Sequence, residues 1–266
     1  MRLLIFILTV LFIYSCENHH ERIVYTTDKQ EINSNEKSFN QSGENIDEDL
    51  ENHFDILLPT EYRDYNAKNE ADKLNSDWME LYLKDGNYYL SKVFYEIERG
   101  FSECSGDSTK ILSTKNKTIL FIKNANIKSG EINSVRLTKN EIWPNEKLSF
   151  NLGKLKYTLR AEGDIKSTEI NLTDNGEEKF QVVENYKLYL TINNLTETLL
   201  LEQKSFNNTF VKLIFVGDID RDGNADFIFS ANRDYEEIRV LLFMSNKSQK
   251  ASQIRKVAEI AVQFDC

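Results

Sequence analysis

Four aspartates crowd one short stretch, Gly217-Asp218-Ile219-Asp220-Arg221-Asp222-Gly223-Asn224-Ala225-Asp226. Counted from Asp218 they stand at positions 1, 3, 5 and 9, with Gly223 at 6 and Asn224 at 7. Alternate placement in a tight loop aims carboxylates at a common centre, and glycine at the sixth place permits a turn that a Cβ would obstruct. Carboxylates this close repel one another unless a cation lies among them. A hard cation with oxygen ligands suits them, and Ca2+ tolerates the irregular coordination a loop offers. The competing reading is an acidic surface turn without metal. Neither a histidine base nor an oriented nucleophile lies nearby in the sequence, so a structural metal is expected rather than a catalytic one.

The elements that must position this loop read as strands. Phe210 to Val216 precedes it and Ala225 to Phe229 follows. Trp78 to Leu83 and Tyr88 to Ile97 flank Asp85-Gly86, a hairpin signal because glycine accepts the positive φ of a primed turn. Lys154 to Ala161 alternates, with Leu155, Tyr157, Leu159 and Ala161 on one face. Ile119 to Ile122 is short and β-branched. Asp174-Asn175-Gly176 marks a turn, and Lys187 to Ile192 meets Leu195 to Leu201 at Asn193-Asn194. Ile238 to Met244 and Val257 to Phe264 complete the set, the last as a strand or with a short helix at its front. Ala71, Leu74, Trp78 and Leu81 recur at helical spacing and predict one helix within 66–81. Many short strands with local turns and no internal repeat predict a mainly β body, an antiparallel sandwich or barrel-like fold, in a single domain over 53–266.

The acidic loop begins like an EF-hand and ends differently. Position 12 is Phe229 instead of a bidentate glutamate, and the flanks are strands instead of helices. The segment resembles the calcium loop of FG-GAP and VCBS-type repeats, which reads Asp-x-Asp-x-Asp-Gly-x-x-Asp between two strands. That resemblance implies side-chain ligands from Asp218, Asp220, Asp222 and Asp226 and a backbone carbonyl from Asn224. It covers about twenty residues and one copy, so it implies a metal loop and no propeller. The run from Asp218 to Asp226, then Val240 to Ser245, Lys256-Val257-Ala258 and the terminal Cys266, also resembles the end of some bacterial lipoproteins of unknown function.

The N-terminus strengthens that second likeness. After Met1-Arg2, the run from Leu3 to Tyr14 is apolar apart from Thr9, and Ser15-Cys16 follows. Such a run is too short for a stable membrane span and fits the core of a signal peptide. It resembles a lipobox, with Ile13 at −3, Ser15 at −1 and Cys16 as acceptor; Tyr14 at −2 is bulkier than the usual residue. The resemblance implies cleavage of residues 1–15 and a diacylglyceryl group on the Cys16 thiol. Its acyl chains would hold the protein to a bacterial membrane, on the periplasmic face or at the cell surface. Residues 16–52 are predicted to form a disordered acidic tether, poor in large apolar residues. From Glu17 to Asn52 ten acids face three bases. His19-His20 within it read as solvated.

Over the whole chain, 33 basic and 43 acidic residues leave −10, the wrong sign for sequence-independent nucleic-acid binding. With Cys16 acylated, Cys104 and Cys266 remain. An exported compartment favours a disulfide between them, the alternative being two separate thiols. The chain has no Gly-x-Ser-x-Gly elbow, no His-Glu-x-x-His, no Walker A and no Cys-x-x-Cys. The reading is therefore a non-enzymatic envelope protein with a structural or interaction role, its partner a protein or a glycan. Two alternatives stand beside it. One is a sugar-binding module using Tyr62, Tyr65, Trp78, Tyr88, Tyr89 and Trp143. The other is a metal-assisted hydrolase using the aspartate loop.

Overall fold

The computed structural model describes residues 22–24, 54–173, 176–245 and 254–264. The signal segment, Cys16, most of the predicted tether with His19-His20, and Cys266 lie outside the described residues. In chain order the strands are β1 (Arg22–Val24), β2 (Asp55–Leu57), β3 (Glu61–Arg63), β4 (Met79–Lys84), β5 (Asn87–Lys92), β6 (Tyr95–Ser102), β7 (Asp107–Thr114), β8 (Lys117–Lys123) and β9 (Gly130–Glu131). They continue as β10 (Lys147–Leu152), β11 (Leu155–Thr173), β12 (Gly176–Ile192), β13 (Thr198–Ser205), β14 (Lys212–Gly217), β15 (Asp226–Ser230), β16 (Glu237–Ser245) and β17 (Ile254–Gln263).

These strands make four antiparallel sheets, ordered β1-β6-β7-β3, β2-β8-β4-β5-β9, β10-β11-β12-β13 and β14-β15-β16-β17. None closes into a barrel. Alternation decides how they stack. On the β14–β17 sheet, Leu213, Phe227, Phe229, Leu241 and Phe243 pack against Tyr157, Leu159, Tyr186 and Leu188 of the β10–β13 sheet. Their neighbours Phe215, Ile228, Val240, Leu242 and Met244 point the other way, onto Met79, Leu81, Leu90, Leu120 and Ile122 of the five-stranded sheet. That sheet in turn buries Leu57 and Phe121 against Tyr62, Tyr95, Ile97 and Leu112 of the β1-β6-β7-β3 sheet. The β14–β17 sheet is thus covered on both faces, which is why Phe227 to Phe229 of β15 and Val240 to Met244 of β16 read as unbroken apolar runs. Each fully buried Phe or Leu contributes about 1.5–3 kcal/mol of transfer free energy.

Several local expectations are corrected. In place of a helix within 66–81 there is one 3-10 turn, Glu70–Lys73, followed by β4. Asn66 and Ala67 adopt positive φ, and Asn69 caps the turn by accepting from the Ala71 amide, so helical backbone never propagates. The apolar spacing serves two cores instead, with Ala71, Leu74 and Trp78 in one and Leu81 in another. The stretch from Tyr88 to Ile97 is two strands, β5 and β6, in different sheets. Residues 103–106 form the hairpin turn between β6 and β7, which pair as far as Ser102 with Asp107. Within the span of the predicted tether, Arg22–Val24 pairs with Glu96–Glu98 of β6. The chain's last strand, β17, has no helix at its front among the described residues.

Candidate metal centre

The aspartate loop is the connection between β14 and β15, at one end of the doubly covered sheet. Its path is fixed by side chains accepting from its own backbone. Asp218 takes the amides of Asp222 at 2.9 Å and Gly223 at 3.0 Å. Asp220 accepts from the Asp222 amide at 3.2 Å, and Asp222 accepts from the Asn224 amide at 2.8 Å. Arg221 and Gly223 both sit at positive φ, 63° and 88°; at Gly223 this conformation is the glycine's function, since a Cβ would meet nothing.

The result gathers three of the five expected ligands. One carboxylate oxygen each from Asp218, Asp220 and Asp222 lies within 4.8 Å of the others, an arrangement that fits a cation bound through oxygen. Asp218 is buried, whereas Asp220 and Asp222 are half-buried. Asn224 sits beside Asp222 and also donates from its side-chain amide at 3.1 Å. Asp226 is fully buried and spends both oxygens on amides, taking Ile219 at 2.7 Å and Ser245 at 3.1 Å. Sequence spacing groups Asp226 with the other three; the structure also makes it the bolt between the loop and β16.

Three residues that sequence reading passed over complete the site. Tyr157 of β11 accepts from the Ala225 amide at 3.0 Å. Ser245 at the end of β16 donates its hydroxyl to Asp222. Arg221 reaches out of the loop to the Ser129 carbonyl at 2.8 Å. The loop therefore touches three sheets or their connections, and no local motif foretells this because every partner is remote in the chain.

Burial and crowded carboxylates together set the electrostatics of the loop. Burial raises the Asp218 carboxyl, and the charge of Asp222 adds to it against the pull of the loop amides. Burial pushes Asp226 well above the ordinary carboxylate range, helped by the charge of Asp220. Tyr157 is raised by burial first and also by the charges of Asp222, Asp226 and Asp218. Among the described residues no Lys or Arg forms an ion pair with Asp218, Asp222 or Asp226. Burial is the largest cause of each shift, and the neighbouring carboxylate charges add to it.

The other singled-out residues are dispersed. Tyr62, Trp78 and Trp143 are buried. The Tyr62 hydroxyl exchanges hydrogen bonds with the backbone of Leu58, Trp78 donates to the Lys73 carbonyl at 2.8 Å, and Trp143 stacks on Phe210 at 3.8 Å. Tyr88 packs edge-on against Phe215, Tyr89 stacks on Tyr82, and Tyr65 is 79% exposed. They form no aromatic row beside the aspartate loop. Cys104 lines a cavity of about 340 Å3 together with Val262, Gln263 and Phe264, the residues that lead to Cys266. A second cavity, of about 690 Å3, lies at the end of the five-stranded sheet; neither is lined by an aspartate of the loop.

The chain matches no protein-family model. It matches no curated protein and no solved structure either.

Proposed function

We propose that this protein is a membrane-anchored lipoprotein whose β body is stabilised by one Ca2+ and serves a non-enzymatic structural or interaction role in a bacterial envelope. The observation that carries the calcium part is the gathering of Asp218, Asp220 and Asp222 in a loop tied to Tyr157, Ser245 and Ser129. A cation there would fasten three sheets at once, so metal binding and folding free energy are linked. The anchor part rests on the apolar run and on Ser15-Cys16 at its end. On the same reading, Cys104 and Cys266 form a disulfide closing the C-terminus onto the β6–β7 hairpin, an arrangement supported by the cavity that Cys104 shares with Phe264.

Calorimetric titration of the metal-free protein tests the calcium reading. One Ca2+ per chain is expected, with Mg2+ binding more weakly because it demands a near-ideal octahedral shell. No heat beyond dilution would contradict it. Mass spectrometry of the membrane-extracted protein tests the anchor: a diacylated N-terminal peptide beginning at Cys16 is expected, and an unmodified Cys16 contradicts it.

A further inference from the structure

We infer that the cleft at one end of the five-stranded sheet binds a small anionic amphiphile, a molecule with an apolar body and a single carboxylate, sulfonate or phosphate head. The strand order β2-β8-β4-β5-β9 creates the cleft. β8 and β9 lie on opposite sides of β4 and β5, so the connection from Asn124 to Ser129 must cross the ends of both. Along that crossing is the cavity of about 690 Å3, a volume typical of small-molecule sites. Two of its apolar walls are buried: Met79 at the start of β4, and Ile127 in the crossing itself.

Charge selects the ligand. Lys92, Lys123 and Lys128 line the cleft with two acids, Asp55 and Asp77. Lys123 stands 3.8 Å from Asp77, whereas Lys92 and Lys128 make no ion pair among the described residues. In a chain of net charge −10 this is a local reversal of sign, with the two unpaired ammonium groups left to meet an anionic head while the apolar walls take its body.

The aspartate loop secures one end of the crossing. The Arg221 guanidinium donates to the Ser129 carbonyl, and Ser129 is itself part of the cleft wall. Next to it, Gly130 at φ 130° leaves the guanidinium its room, since a Cβ there would stand 2.5 Å from Nη2. Arg221 is thus a positioning residue for the cleft. Its dependence on Ca2+ rests on the calcium reading above; the cleft itself does not.

The test uses two fluorescent probes on the full chain, anionic anilinonaphthalene sulfonate and uncharged phenylnaphthylamine. The sulfonate is expected to bind with one site per chain. The double variant Lys92→Glu/Lys128→Glu is expected to weaken it by about tenfold or more while leaving the neutral probe and the melting temperature unchanged. Ile127→Asp should weaken both probes, and Arg221→Ala should weaken the sulfonate with no charge of its own in the cleft. Sulfonate affinity unchanged in the double charge reversal, or no sulfonate binding at all, overturns the proposal. If melting ignores Ca2+ but charge reversal still weakens the sulfonate, the calcium reading fails and the cleft stands. If melting responds to Ca2+ but charge reversal does not weaken the sulfonate, the cleft proposal alone falls.

Discussion

The hydroxyl of Tyr157 accepts a hydrogen bond from the amide of Ala225 at 3.0 Å, joining the middle of the β10–β13 sheet to the last residue of the aspartate loop. Both partners are fully buried, and the ring of Tyr157 stacks on Phe150 at 5.5 Å. Tyr157→Phe keeps the ring and leaves a buried amide without an acceptor. The expected loss is about 1–3 kcal/mol of unfolding free energy, measured by urea denaturation. A variant as stable as the parent would show that the contact is incidental to the loop.

Asp226 and Asp220 separate the loop's backbone from its metal. Asp226→Ala strips acceptors from the amides of Ile219 and Ser245, at an expected cost of about 2–5 kcal/mol. That loss is expected with and without Ca2+, because the amides need an acceptor in either state. Asp220→Ala, by contrast, is expected to matter in Ca2+ and little in EGTA. Urea titrations of both variants in both conditions give the comparison, and a common pattern for the two would contradict this division of labour.

Only part of this was legible in the sequence. The loop was, because alternate aspartates and Gly223 announce a turn whatever surrounds it. The strands on either side were, because Leu213 to Val216 and Phe227 to Phe229 are apolar without interruption. What those runs meant was not: alternate members face different sheets, and a single sequence does not say which partner lies on which side. The break between β5 and β6 is silent for a similar reason, since Val93, Tyr95 and Ile97 keep the period of two while entering a new sheet and its core. Ala71, Leu74 and Trp78 matched a helical period by coincidence with the demands of one core, and the positive φ at Asn66 and Ala67 is the local veto. Asp226 carries no mark that separates a ligand from a bolt, because its amide partners include one nineteen residues away in the chain.

Acid should loosen the β16–β17 pairing through Glu259. Burial opposes its charge, but hydrogen bonds and charges from Arg239 and Lys256 outweigh it and hold the carboxyl at about 2, against an ordinary 4.5. A depressed carboxylate stabilises the fold above its unfolded value and loses that contribution as pH falls through the folded one. The parent is therefore expected to exceed Glu259→Gln by about 1 kcal/mol near neutrality, allowing for solvent screening of a partly exposed group. The gap should close between pH 4.5 and about 2. Thermal melts across that window check it, and a gap constant with pH would contradict it.

Oxidation state at the C-terminus is open to direct assay. Peptide mapping without reductant is expected to recover Cys104 linked to Cys266, and reduction is expected to cost about 2–5 kcal/mol, since the bridge closes a long loop. Both thiols taking up an alkylating label in the native, unreduced protein would contradict the pairing.

The central claim is that a cation at Asp218, Asp220 and Asp222 stabilises the whole fold, and thermal melting in Ca2+ against EGTA tests it most directly. With free Ca2+ about a hundredfold above the dissociation constant, the melting temperature is expected to rise by about 5–10 °C. The rise should vanish in Asp220→Ala. Superimposable melts of the parent protein in Ca2+ and in EGTA would contradict the account.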